Sequence, residues 1–322
     1  MRAPAHGDVV AHVNGVESRV LTGYAGVDLA LALLDDAEEA AGVPLVDESE
    51  RARLTELARG LEARGHHWHS LLARDGDEAV GYAGMIRRDN GHVDADVAVL
   101  RELDQCDAAL QSLLVACDVL ARRHEATRLR AWLRHARDRD MQCATAVGFS
   151  IERRLGVFAL DDLAGHLAAD TTPTAAEAGI TIRPFTDDEA DVVVDVLAAA
   201  YDGTPDGGWT RGDLAHRQNY DWFDPADLLV AHDGDTVVGL HWTKQRGEGV
   251  GEVYNLAVAP DQQGRRLGAV LLRAGLEHLA GRGCDRVMLW VDLANERAVR
   301  LYAAHGFRLQ WEDVAFSRVT AT

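Results

Sequence analysis

A mixed α/β fold built twice in tandem is predicted for this chain, and three observations carry the prediction. The first is a pair of strand-turn-strand signals: Ala73-Arg74-Asp75-Gly76-Asp77 leading to Val80-Gly81, and Ala231-His232-Asp233-Gly234-Asp235 leading to Val238-Gly239. Asp-Gly between apolar runs marks a hairpin, because the turn needs a positive φ that glycine reaches without steric cost. The second is their spacing. The hairpins lie 158 positions apart, as do Gly148-Phe149 and Gly306-Phe307, and Leu113-Leu114 and Leu271-Leu272. An ungapped offset at three points marks an internal repeat of one unit of about 150 residues. The third is the succession of periods: strand, helical segment, hairpin, central strand, long helix, strand, short helix and final strand in each copy. In the second copy the first strand is Ile180 to Pro184, and Leu267, Val270, Leu271, Ala274 and Leu279 give the long helix its stripe, which Gly281 and Gly283 end. Its counterpart, Gln105 to Arg123, carries Leu110, Leu113, Leu114, Cys117 and Leu120. Val287 to Val291 is a continuous apolar run, typical of a strand covered on both faces.

At 322 residues, 47% apolar and 26% charged, the chain has the length for two globular domains rather than one core. The stretch from Asp161 to Gly179 is Ala/Thr/Asp-rich, holds a proline and lacks a strong period. A linker is therefore expected at 166–179, with domains at 1–165 and 180–322. The opening MRAPAHGDVV has no apolar segment and no run approaches about 18 apolar residues, so neither export nor membrane insertion is expected and the address is cytoplasmic. Cys106, Cys117, Cys143 and Cys284 are scattered with no C-x-x-C pair, against both a disulfide framework and a zinc site. His67 and His69 share a strand face with no third ligand in sequence, and no metal is expected. A net charge of −19 opposes nucleic-acid binding. The expected partner is a small molecule, and the expected state a monomer.

The stretch Tyr254 to Leu272 is a buried-type strand, a Gln263-Gly264-Arg265-Arg266-Leu267-Gly268 loop and an apolar-striped helix. That order leaves backbone N–H groups aimed at an anion, and Arg265 and Arg266 add positive charge against the acidic background. Asn295, Ala298, Leu301, Tyr302, Gly306 and Phe307 follow as N-x-x-A-x-x-L-Y-x-x-x-G-F. Sliding the repeat over itself sets Gln105 to Leu110 opposite the loop, with no glycine, no arginine and a carboxylate, Asp107, where a phosphate would lie. Arg137 falls opposite Asn295 and Ala144 opposite Tyr302. The first copy is thus expected to be a scaffold and the second the catalyst.

Together the two C-terminal segments resemble the GNAT-type N-acetyltransferases. The resemblance implies that each copy is a central mixed, mostly antiparallel sheet flanked by helices, and that acetyl-CoA is the cosubstrate. It assigns cofactor contacts to Leu256, Ala257, Val258, Gln263, Gly264, Arg265, Arg266, Leu267, Gly268 and Ala269, and to Asn295, Glu296, Arg297, Ala298, Val299 and Arg300. It also implies that the strand at Leu256-Ala257-Val258 splays from its neighbour. Arg266 departs from the commonest Q-x-x-G-x-G form at the inner glycine; a positive φ there would cost arginine about 1 kcal/mol. Glu252, just upstream, is the candidate base for an amine with a pKa near ~8, and Tyr302 the candidate acid for the leaving thiolate.

Gly207-Gly208-Trp209-Thr210, Trp222-Phe223-Asp224-Pro225, His241-Trp242-Thr243-Lys244 and Gly251-Glu252-Val253-Tyr254, in that order, resemble the mycothiol synthase family. Members acetylate the cysteinyl amine of a cysteine–glucosamine–inositol conjugate with their C-terminal half. Carried over, the resemblance makes Lys244, the only lysine in the chain, a substrate contact, with Glu48, Asp206, Glu252 and Trp290. Asp206 stands where the family has glutamate, and Trp290 where it has tyrosine. The other readings are a tandem acetyltransferase for another small amine, such as an aminoglycoside or amino acid derivative, and a CoA-binding regulatory module without turnover.

Overall fold

The computed structural model describes residues 6–60, 67–88, 90–204 and 206–320. They divide into two compact units, Met1–Leu155 with Trp311–Thr322, and Gly156–Gln310. The first opens on a hairpin, β1 (His6–Val13) and β2 (Val16–Leu21), where one strand is expected. Two helices follow, α1 (Gly23–Ala41) and α2 (Glu48–Ala58), then β3 (His67–Asp75), β4 (Glu78–Arg87) and β5 (His92–Val99). The long helix α3 (Cys106–Arg123), β6 (Arg128–Leu133), α4 (Asp138–Ala146) and β7 (Ser150–Leu160) complete the copy. The second copy has α5 (Leu163–Ala169), β8 (Thr181–Pro184), α6 (Ala190–Ala200), α7 (Arg211–Gln218), β9 (Leu228–Asp233), β10 (Thr236–Gly247) and β11 (Val250–Val258). It ends with α8 (Leu267–Gly281), β12 (Arg286–Asp292), α9 (Glu296–Ala304) and β13 (Arg308–Val319).

The repeat is written in the element ends. β4, β5, β6 and β7 begin 158 residues before β10, β11, β12 and β13, and α4 and α9 share that offset at both ends. In the first unit the strands run β1-β2-β3-β4-β5-β6-β13, and in the second β7-β12-β11-β10-β9-β8. Parallel pairing joins β5 to β6 and β11 to β12, while β1 through β5, β8 through β11, and β6 with β13 pair antiparallel.

The units do not divide at 166–179. The chain passes between them within β7 and again within β13, so residues 311–322 belong to the first unit and 166–179 to the second. Leu163 and Leu167 pack with Phe158, Leu272 and Leu276, and Ala175 and Ala178 with Ile180, Leu267 and Val270. The alanines that make this stretch read as featureless are small apolar contacts against α8.

Two layers position the site in the second unit. Alternate residues of β10 face opposite sides: Leu240 and Trp242 join Val193, Leu197 and Ala257 in a core with α6, while His241 points at Gly275 of α8. All four cysteines are free and buried. Among the described residues no helix is long and apolar enough to cross a membrane.

Candidate active site

β11 and β12 pair only at Val250, Gly251 and Glu252, opposite Arg286, Val287 and Met288, although β11 continues to Val258 and β12 to Asp292. They diverge where β11 bulges: Trp242 registers with Asn255 but Thr243 with Val253, leaving Tyr254 as the extra residue. The bulge is anchored. The Tyr254 hydroxyl accepts from Arg217 Nε at 2.9 Å, and its ring meets Trp222 and Trp242 edge-on at 5.1 and 5.2 Å. A splay strips the backbone of Val253 to Val258 of its partners on one side; the Leu256 carbonyl takes the Tyr201 hydroxyl, 3.3 Å away.

A cavity of about 370 Å³ opens at this splay, lined by Leu256, Ala257 and Val258, by Gln263, Gly264, Arg266, Leu267, Gly268 and Ala269, and by Asn295, Arg297, Ala298, Leu301 and Tyr302. Ala200, Tyr201 and Thr204 from the end of α6 complete it. The loop turns twice into the left-handed region, at Gly264 (φ +87°) and Arg266 (φ +62°). The arginine therefore carries the cost that its place in the motif implies, about 1 kcal/mol. The N–H groups of Gly264, Arg265, Arg266, Leu267 and Gly268 find no acceptor among the described residues, so the N-terminus of α8 presents a row of unbonded donors.

Arg265 is turned aside: its guanidinium bonds Gln262 at 2.6 Å and Asp233 at 2.8 Å, and it does not line the cavity. Arg266 and Arg297 supply the positive charge instead, and Arg297 also bonds the Gln263 side chain. Asn295 caps α9, accepting from the Ala298 N–H at 3.1 Å. Glu296 and Arg300 form an exposed pair at 2.9 Å, and with Val299 they lie off the cavity wall.

Tyr302 is buried, and its hydroxyl makes no hydrogen bond among the described residues. Burial, with the Tyr201 phenol as a lesser cause, pushes it well above the ordinary phenol range. Glu252 is the last β11 residue paired with β12; it is buried, with Arg246 Nε 2.7 Å from Oε2. Lys244 registers opposite Glu252 on β10, its ammonium 4.3 Å over the Trp222 ring and 5.9 Å from that of Tyr254. Trp290 lies under the Arg246 guanidinium at 4.5 Å. Asp206 is exposed beyond α6, its charge felt by the Tyr201 phenol. Glu252, Lys244, Trp290 and Asp206 stand outside the cavity lining, and Glu48 is an exposed first-turn residue of α2 in the first unit. Tyr201, Thr204 and Arg246 are not singled out by the motifs. Arg246 had a signal, since Arg88 precedes it by the repeat offset. Among the described residues no group of three or more His, Cys, Asp or Glu is placed to hold a metal ion, and the His67 side chain lies outside the described residues.

The first unit has closed the same place. β5 and β6 pair without a break from His92 and Arg128 to Val97 and Leu133, so no splay forms. Just past it Arg101 donates to the carbonyls of Arg134 and His135 and pairs with Asp140 at 3.1 Å. Asp107, at the start of α3, is held by Arg139 at 2.7 Å.

Residues 194–307 match the acetyltransferase (GNAT) family. The chain is similar in structure to a GCN5-related N-acetyltransferase from Sphaerobacter thermophilus (TM-score 0.70, 20% identity, 97% of this chain and 98% of that one). It is similar also to a tandem GNAT protein from the clavulanic acid biosynthesis pathway (TM-score 0.69, 19% identity, 95% and 99%). Fold and site thus define an acetyl-CoA-dependent N-acetyltransferase of the tandem GNAT class. The mycothiol acetyltransferase of Stackebrandtia nassauensis is 36% identical over 306 residues, covering 91% of this chain and 95% of the relative; that of Mycobacteroides abscessus is 33% identical, covering 86% and 98%. The chain belongs to the mycothiol acetyltransferase family.

Enzymes of the GNAT family use acetyl-CoA, and the row of unbonded N–H donors beside Arg266 and Arg297 fits its diphosphate. One equivalent per chain is the expected stoichiometry by titration calorimetry, because the first unit lacks the splay and carries the Asp107 carboxylate in the first turn of α3. Two equivalents of comparable affinity, the second surviving Gly264→Asp, would contradict this assignment.

Proposed function

We propose that the second unit acetylates the cysteinyl amine of desacetyl-mycothiol, with Glu252 as base and Tyr302 as acid. Relatives named mycothiol acetyltransferase, matched over nearly their whole length, support the acceptor. One observation supports the chemistry above the rest: the splay has Glu252 at its closed end, and Tyr302 lines the cavity at its open part.

Acetyl-CoA supplies the activated acyl group. Gly264 to Gly268 and Arg297 hold its phosphates, and the unpaired edge at Leu256 to Val258 offers backbone groups to its arm. Glu252 Oε1 takes the proton of the acceptor ammonium, and the freed nitrogen forms the C–N bond as the C–S bond breaks. Tyr302 Oη gives its proton to the departing sulfur, and the second nitrogen proton, shed as the amide forms, restores the phenol. Arg246 on Oε2 fixes the orientation of the Glu252 carboxylate and leaves Oε1 toward the acceptor. Lys244 and Asp206 act as hydrogen-bonding groups toward the polyhydroxylated acceptor, and Trp290 as an apolar wall.

The test is release of CoA with desacetyl-mycothiol against a panel of aminoglycosides and amino acid amides. A preference of tenfold or more for another amine would remove this acceptor and leave the reaction class. Glu252→Gln is expected to lower kcat/KM about a hundredfold at pH 7. That loss should shrink toward pH 9, where an amine of pKa near ~8 is already neutral. An undiminished rate at pH 7 would end the assignment of the base.

A further inference from the structure

The repeat offset sets Glu252 opposite Asp94 and Arg246 opposite Arg88, so both units carry one arginine–carboxylate pair at the same place. The carboxylates are held differently. Both oxygens of Asp94 are occupied: Arg88 Nε lies 2.7 Å from Oδ2, and Arg130 reaches Oδ1 at 2.9 Å and Oδ2 at 3.1 Å. Glu252 has Arg246 on Oε2 alone, at 2.7 Å, and Oε1 accepts no hydrogen bond among the described residues. The strand register supplies the reason. Asp94 is paired across the parallel ladder with Arg130, and Glu252 with Met288. Methionine, a side chain with neither charge nor N–H donor, stands where the first unit places its second guanidinium. Two residues along β12, on the same face, Trp290 lies against the Arg246 guanidinium and limits where it can swing.

We propose that Met288 makes Glu252 a base: it leaves one carboxylate oxygen open to the amine proton, while Arg246 acts as a positioning residue on the other. The non-catalytic unit shows the alternative, a carboxylate closed by two arginines and held only for structure. This inference rests on Glu252 as the base. It adds that a single register position separates a structural ion pair from a working one, because a carboxylate bonded on both oxygens has neither the geometry nor the electrostatic bias to accept a proton.

Met288→Arg rebuilds the first unit's arrangement in the second. It is expected to lower kcat about a hundredfold at pH 7, with KM and Kd for acetyl-CoA changed less than about twofold, since Met288 does not line the cofactor cavity. Met288 is only half-buried, so the longer side chain has a path to solvent, and Met288→Lys repeats the test with a different cation. Met288→Leu, which also lacks charge and donor, should lose far less of kcat than Met288→Arg. Combining Met288→Arg with Glu252→Gln should lose no more than Glu252→Gln alone, because both act on one step. Arg246→Lys should retain more of kcat than Arg246→Met at equal KM for acetyl-CoA, which a purely structural contact would not produce. Wild-type turnover in both Met288→Arg and Met288→Lys, beside an inactive Glu252→Gln, would overturn the proposal and leave the base in place. Losses that multiply in the double variant would overturn it too. A fully active Glu252→Gln would instead remove the base itself.

Discussion

Tyr302→Phe is expected to cut kcat about a hundredfold to a thousandfold while leaving Kd for acetyl-CoA unchanged. The phenol is 8% exposed, lines the cofactor cavity, and makes no hydrogen bond among the described residues that the variant would lose. Phenylalanine fills nearly the same volume, so the edge-on contact with Phe307 at 5.8 Å survives and the melting temperature should barely move. Only the proton is missing. Because burial raises the hydroxyl well above the ordinary phenol range, it stays protonated through neutral and mildly alkaline pH. Wild-type kcat should therefore hold level from pH 7 to about 9, with no descending limb from an acid losing its proton. Single-turnover rates across that range, with the variant alongside, check both points. A variant as fast as wild type would show that the thiolate leaves without help from this residue and would favour binding without proton transfer.

Much of this was open to inspection in the sequence because the repeat exposes it. The offset that aligns the two Asp-Gly turns also aligns the starts of β4 through β7 with β10 through β13, since turns and strand starts are fixed by local chemistry. The backbone shape of the loop at Gln263 to Gly268 was legible for the same reason: it is set locally, and the positive φ at Arg266 falls where the missing glycine of the motif belongs. What lay hidden depends on partners far along the chain. Nothing near Arg265 announces that Asp233 and Gln262 draw it from the cavity, leaving Arg297 to take its place. Tyr201 reads as an apolar helix end until the splay leaves the Leu256 carbonyl without a strand to bond. The exchange of final strands between units is invisible to composition, because β13 has the same pattern whichever β-sheet receives it. The contrast between Arg130 and Met288 emerges only when the two parallel ladders are compared residue by residue.

The second large effect concerns the other face of the catalytic β-sheet, where Gly275→Ala should destabilise the second unit by about 3 kcal/mol or more. A Cβ at Gly275 would overlap the imidazole of His241, and that ring cannot easily yield: it is wholly buried, and its Nδ1 is tied to the Leu271 carbonyl of α8 at 2.8 Å. The gain in helix propensity, about 1 kcal/mol, is too small to compensate. Removing the obstruction tests the mechanism directly. His241→Ala on its own should destabilise, but the double variant Gly275→Ala/His241→Ala should be more stable than the sum of the two losses predicts, by more than about 1 kcal/mol in a denaturant cycle. Additive losses would mean the glycine is needed for another reason. The same pair predicts a pH signature. Burial lowers His241 from 6.5 to about 4 despite the opposing carbonyl bond, so between those values the unfolded chain binds a proton that the native imidazole refuses. Stability is therefore complete above about pH 6.5 and declines as pH falls toward 4, by about 3 kcal/mol in total at 1.36 kcal/mol per unit. The double variant lacks the imidazole and should lose that much of the acid-side slope; an unchanged slope would show that His241 already carries its proton in the native state.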